Sequence, residues 1–172
     1  FSALNARINP EGFQRSREVS IPLAAIAGRP AWRQLTQIRH FLSENPRVSE
    51  LYQTRPWNYI ANHIRTVWVV TEHRMTNLRI LEDTAFHRKP TEFWASDPLL
   101  LAPLQGLRCD GSHQHEALQG GTKTHAARQW TWELASRIAI GVAAVVRASR
   151  QPIQQTRRPP RNFSSFPAMA TG

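Results

Sequence analysis

The run Thr66-Val67-Trp68-Val69-Val70-Thr71 constrains this chain more than any other stretch, because β-branched and aromatic side chains in unbroken succession fit a pleated, packed strand and little else. A short helix is expected just before it. Pro56 opens a segment in which Trp57, Ile60, Ala61 and Ile64 fall on one face and Asn58, Asn62 and Arg65 on the other. A helix followed by a fully apolar strand is the pattern of a βαβ unit, so the expected architecture is α/β with a parallel sheet.

A second strand is expected upstream, with an alternative. From Ala31 the apolar positions Trp32, Leu35, Ile38 and Leu42 recur at helical spacing, and Pro30 suits a first turn, so a helix is predicted over 31–40. Phe41, Leu42 and Ser43 either continue that helix, giving a mostly α protein, or form a buried strand stopped by Glu44-Asn45-Pro46. The strand reading places a carboxylate at a strand end, where open α/β sheets hold their ligands. Glu44 is therefore the first candidate for chemistry, and an exposed helix end is the plainer account of the same residues.

Further along, Val48 to Gln53 reads as a short helix, a helix is expected through Leu78, Leu81 and Ala85, and Glu92-Phe93-Trp94-Ala95 as a third strand. A short helix follows from Pro98, then a polar loop over 108–123. The last predicted helix runs from about Thr124 to Arg147, with Trp130, Leu134, Ile138, Val142 and Val145 on one side and Gly141 marking a close contact. Residues 1–30 read as a loop-rich arm, 31–149 as a single α/β domain, and 150–172 as a basic, Pro-rich, disordered tail. The first residue is Phe, so a processed product or fragment is expected.

The net charge of +10 is almost entirely arginine, since Lys89 and Lys123 are the only lysines. Arginine forks match phosphates and stack on bases, so DNA or RNA is the partner class this bias favours; base composition of the coding sequence is the competing explanation. No acidic residue follows Glu133, while Arg137, Arg147, Arg150, Arg157, Arg158 and Arg161 do. His87 and Lys89 stand in a basic turn that is either solvated or a phosphate clamp. The single cysteine, Cys109, forbids an intramolecular disulfide, and the longest apolar stretch, 138–146, is too short to span a bilayer. An intracellular protein without membrane partners is expected.

Cys109-Asp110-Gly111-Ser112-His113 carries the last letters of an iron–sulfur signature, but such a cluster needs further thiolates that this chain lacks. Zinc is chemically acceptable: Cys109, His113 and His115 supply suitable donors, with Glu116 or His125 as a fourth. An ordinary polar loop is the alternative.

The ordered series E-N-P-R-V-S-E-L-Y at 44–52, V-W-V-V-T-E-H at 67–73, H-R-K-P-T at 87–91, C-D-G-S-H-Q-H-E-A-L at 109–118 and T-H-A-A-R-Q-W at 124–130 resembles a domain of retroelement-type polyproteins of dinoflagellates and other protists. That domain in turn looks like the second half of a Rossmann-type DNA cytosine C5 methyltransferase. The resemblance implies a partial Rossmann-like sheet with flanking helices. It also implies a base-contacting role for Glu44 with Asn45, a supporting role for Arg88, and S-adenosylmethionine as cofactor if missing sequence completes the site. The chain has Pro46 where the family has Val, and it lacks the Pro-Cys nucleophile motif. The expectation is thus a nucleic-acid-associated, methyltransferase-like fragment, inactive alone; half of an active methyltransferase and a helical interaction protein are the alternatives.

Overall fold

The computed structural model describes residues 3–76, 78, 86–87, 89–112, 115–116, 125 and 127–150. The basic tail and nearly all of the helix expected through Leu81 and Ala85 lie outside these residues.

The chain enters through helices α1 (Ala3–Ile8) and α2 (Pro10–Thr36), where a loop-rich arm was expected. Asn9 caps α2 by accepting the Gly12 N–H at 2.9 Å, and Pro10 occupies the first turn, where its missing donor costs nothing. Pro22 and Pro30 lie inside the helix, each removing a backbone hydrogen bond. What compensates is packing. Ala24, Gly28, Ala31 and Leu35 form a buried stripe of mostly small residues. At Gly28 an added Cβ would sit 2.7 Å from Pro56, so glycine permits the close approach.

The helix stops at Thr36, four residues before the predicted end, because Ile38 adopts a left-handed φ of 57° and turns its side chain to solvent. The Arg65 guanidinium donates to the carbonyls of Leu35 at 3.1 Å and Arg39 at 3.4 Å, satisfying oxygens that the ended helix leaves open.

That stop releases strand β1 (Leu42–Pro46). A 3-10 turn at Glu50–Gln53 and helix α3 (Trp57–Ala61) follow, then β2 (Val67–Glu72), a 3-10 turn at His73–Thr76, the two-residue β3 (Phe86–His87) and β4 (Pro90–Ala95). Helix α4 (Pro98–Leu101) is capped by Asp97 and runs into a 3-10 turn at Ala102–Leu104; β5 (His115–Glu116) and α5 (Trp132–Arg150) complete the described elements. Thr131 accepts the Leu134 N–H at 3.2 Å, so α5 starts later than the predicted Thr124.

The fold is α/β in class, with a small sheet ordered β1-β4-β2. Both pairings are antiparallel, which corrects the parallel, Rossmann-like sheet expected from the order of elements. The segment containing α3 does bring β2 parallel to β1, since each is antiparallel to β4, but the two strands do not pair with each other. The later strand β4 instead inserts between β1 and β2. Apart from this sheet, β3 and β5 form a two-stranded parallel pair.

Strand alternation sorts the side chains onto two faces. One carries Leu42 and Glu44, Ala95, Phe93 and Thr91, and Val67, Val69 and Thr71. Its apolar members pack beneath α4, the following 3-10 turn and α5, around Phe93, Leu104 and Leu134, all fully buried. Gly141 makes the close contact expected of it, since a Cβ there would meet the Leu100 carbonyl at 2.6 Å. Val142, predicted to belong to this stripe, is instead 45% exposed. The opposite face carries Trp94, on which Tyr52 stacks at 4.1 Å, and packs beneath α2 and α3 around Leu35, Trp57 and Ile60. The Trp57 indole donates to the Ala24 carbonyl at 2.9 Å, tying these two helices together. Among the described residues no helix is long and apolar enough to cross a membrane.

Candidate functional site

Where the first face runs past its apolar end, the same alternation continues with polar residues. Glu44 on β1, Thr91 and Lys89 leading into β4, and Thr71 and His73 at the end of β2 all fall on this side of the sheet. His73 is fully buried and its backbone is fixed by donating to the Lys89 carbonyl at 3.3 Å. Its Nε2 lies 3.9 Å from Glu44 Oε1, and neither ring nitrogen reaches a protein hydrogen-bond partner among the described residues. The Lys89 ammonium donates to the Ala127 carbonyl at 2.8 Å, bringing the segment before α5 over the cluster.

Burial dominates the electrostatics. It pushes the Glu44 carboxyl above the usual carboxylate range, while the Lys89 ammonium and the Trp130 indole N–H pull it partly back. Burial lowers His73 to about 4, assisted by the charge of Lys89, so the imidazole is neutral at physiological pH. Burial also lowers Lys89, opposed by Glu44. A carboxyl, a neutral imidazole and an ammonium, each displaced from its ordinary titration range, is the kind of arrangement found where side chains exchange protons with a substrate.

A second cluster forms on the other side of the same strand end. Glu72, one residue before His73, points to the opposite face and is 8% exposed. Its N–H donates to the Leu107 carbonyl at 2.8 Å, which pins the following loop to β2. Cys109 Sγ then lies 3.1 Å from His115 Nε2 and accepts the Gly111 N–H at 3.2 Å. One donor atom from each of Glu72, Cys109 and His115 falls within 4.8 Å of the others.

The residues singled out by sequence divide accordingly. Glu44 and Lys89 come together; Asn45 sits opposite Glu92 on the other face and does not join Glu44, which corrects their expected pairing at one site. His87 places its backbone in β3, beside Glu116 in β5. Arg147 and Arg150 occupy the exposed last turn of α5, where they complement the helix dipole. Of the metal candidates, Cys109 and His115 meet, whereas the exposed His125 is not in the cluster. Arg88, His113, Arg157, Arg158 and Arg161 lie outside the described residues.

Sequence reasoning missed His73 and Glu72, although both end the strongest strand in the chain, where alternation alone sends neighbours to opposite faces. It also assigned Trp130 to a helix stripe. Trp130 precedes α5, is 47% exposed, and stands beside Glu44, with Trp132 87% exposed and Arg128 exposed in the same segment.

A cleft of about 310 Å³ lies elsewhere, between α2 and the start of β1, lined by Ala27, Pro30, Gln34, His40 and Phe41 among others. Its one titratable group, His40, pairs with Asp97 at 3.8 Å, so it lacks the convergent chemistry of the Glu44 cluster. Comparison with protein-family models, with curated proteins and with solved structures finds no match to this chain.

Proposed function

We propose that this chain is a nucleic-acid-associated protein with a proton-transfer centre at Glu44. The observation that carries the reading is the convergence of Glu44, His73 and Lys89 at the polar end of the sheet, with the carboxylate and imidazole 3.9 Å apart. Glu44 keeps 21% of its side chain exposed and so can meet a substrate, whereas the fully buried His73 acts only by positioning and polarising it. Burial raises the Glu44 carboxyl above its ordinary range, which makes it a stronger base toward a bound substrate than an exposed carboxylate. Lys89 supplies the positive charge that keeps an anion at this spot tolerable.

The partner class rests on charge and on aromatic exposure. A net charge of +10 attracts phosphate at long range, and Trp130 offers a stacking face beside Glu44, with the exposed Arg128 and Trp132 in the same stretch of chain. The methyltransferase-like form of this reading, in which Glu44 contacts a base turned out of the stack, draws support from its position within a β-strand. The antiparallel sheet speaks against it. The centre as proposed requires no methyl donor.

The test combines binding and chemistry on the full chain. Labelled single- and double-stranded DNA and RNA are titrated across a salt series, and the oligonucleotides are weighed by mass spectrometry after incubation. Affinity should fall steadily as salt rises, and Trp130→Ala or Trp132→Ala should weaken single-strand binding by roughly tenfold. Glu44→Gln should bind as well as wild type while abolishing any change in oligonucleotide mass. Absent or salt-insensitive binding would end the nucleic-acid reading, and an unaltered oligonucleotide with the wild-type protein would end the chemical one.

A further inference from the structure

We propose that Glu72, Cys109 and His115 form a zinc site that fastens the 107–116 segment to the end of β2. The donor set differs from the one the sequence offered. It takes its carboxylate from a strand far upstream in place of a ligand from the same loop.

Three features carry the assignment. The donors are a thiol, an imidazole and a carboxylate, the mixed sulfur, nitrogen and oxygen set that suits zinc and is poor for magnesium or calcium. They arrive from three separate pieces of backbone, each independently held. Glu72 is fixed by the β2–β4 ladder and by its own N–H to Leu107, Cys109 by the Gly111 N–H, and His115 by its pairing with Phe86. The spacing is also near what an ion needs. Bond lengths in tetrahedral zinc put a sulfur and a nitrogen ligand about 3.6 Å apart, against 3.1 Å between Cys109 Sγ and His115 Nε2, with the widest pair inside 4.8 Å. Rotations that move these atoms by about 1 Å close the set around one ion.

Glu72 completes the set: it is 8% exposed, and its carboxylate offers an oxygen within 4.8 Å of both the thiol sulfur and the imidazole nitrogen. On binding, the Cys109 thiol gives up its proton to solvent and the thiolate takes the metal; three protein ligands leave a fourth position for water or another side chain. The inference is independent of the Glu44 centre, whose residues lie on the opposite face of the strand.

The experiment uses the purified full chain, stripped with a chelator and then titrated with zinc sulfate against a chromophoric competitor. One zinc per chain should bind, and cobalt chloride in its place should give the intense thiolate-to-cobalt absorption. Cys109→Ser, Glu72→Gln and His115→Gln should each weaken binding at least tenfold, while His125→Gln should leave it unchanged. Circular dichroism checks that each variant is folded. A readout without variants guards against misfolding: bound zinc should protect wild-type Cys109 from alkylation by iodoacetamide. Less than stoichiometric zinc, unaltered affinity in Glu72→Gln, or a Cys109 alkylated equally fast with and without zinc would overturn the proposal. In the last case, a reaction rate lost in His115→Gln would make the pair an activated thiol instead.

Discussion

The two ends of one sheet face solve opposite problems with the same backbone. At the first, Leu42, Val67, Val69, Phe93 and Ala95 meet α4 and α5 in a close-packed core. At the other, two to four residues further along the strands, Glu44, Thr71, His73 and Lys89 occupy equivalent positions. The first end is held by area removed from water. The second contains buried polar atoms, Thr71 Oγ1 and both His73 nitrogens, that reach no protein partner among the described residues. Such atoms are rare in folded proteins and work against stability. The apolar end therefore stabilises the fold, and the polar end draws on that stability for chemistry.

The comparison is broken most severely at its apolar end. Phe93→Ala, in the central strand and fully buried, should cost about 3–5 kcal/mol by chemical denaturation. A loss below about 1 kcal/mol would mean that this end is not the source of stability.

The polar end should respond to pH. His73 takes its proton near pH 4 when folded and near 6.5 when unfolded, so between those values the unfolded chain binds more protons. Stability should then fall as pH drops through that window, by about 3 kcal/mol in total. Glu44 acts in the opposite sense above its unfolded value of 4.5, because the folded state holds that proton more tightly. The difference between wild type and His73→Gln, measured on metal-free protein, isolates the histidine. A flat difference curve would mean that His73 is not the neutral, buried group described.

The smallest effect has the most diagnostic sign. Glu44→Gln should raise stability at neutral pH by about 0.5–2 kcal/mol, since it removes a charge that burial disfavours. Destabilisation would recast Glu44 as a structural residue.

Legibility in the sequence followed how local each determinant was. The β2 run was plain because every residue in it agrees with strand. Phe41 to Ser43 was ambiguous because the spacing of Trp32, Leu35, Ile38 and Leu42 continues a helix, while the turn at Ile38 and the capping by Arg65 depend on residues distant in sequence. The first helices were hidden for a related reason. Their buried stripe is made of Ala and Gly, which hydropathy barely registers, and Pro22 and Pro30 argue against a helix that only contact with α3 restores. Glu44 was visible as a carboxylate expected to close a strand, although β1 runs on through Asn45 and Pro46 and leaves Glu44 at its middle. Its partners were not, because no spacing within one segment relates Glu44 to His73 or Lys89.

What the sequence determined alone was which stretches are strand or helix wherever propensity and periodicity agree, together with the basic charge and a thiol–imidazole pair within one loop. Strand order was decided by tertiary structure, since β4 enters the middle of the sheet only when its two flanks can both pair with it. The same pairing decided which polar side chains meet. Alternation sends Glu72 to one face and His73 to the other, but only the antiparallel register brings Glu44 and Lys89 alongside His73, and only the folded loop carries Cys109 and His115 to Glu72.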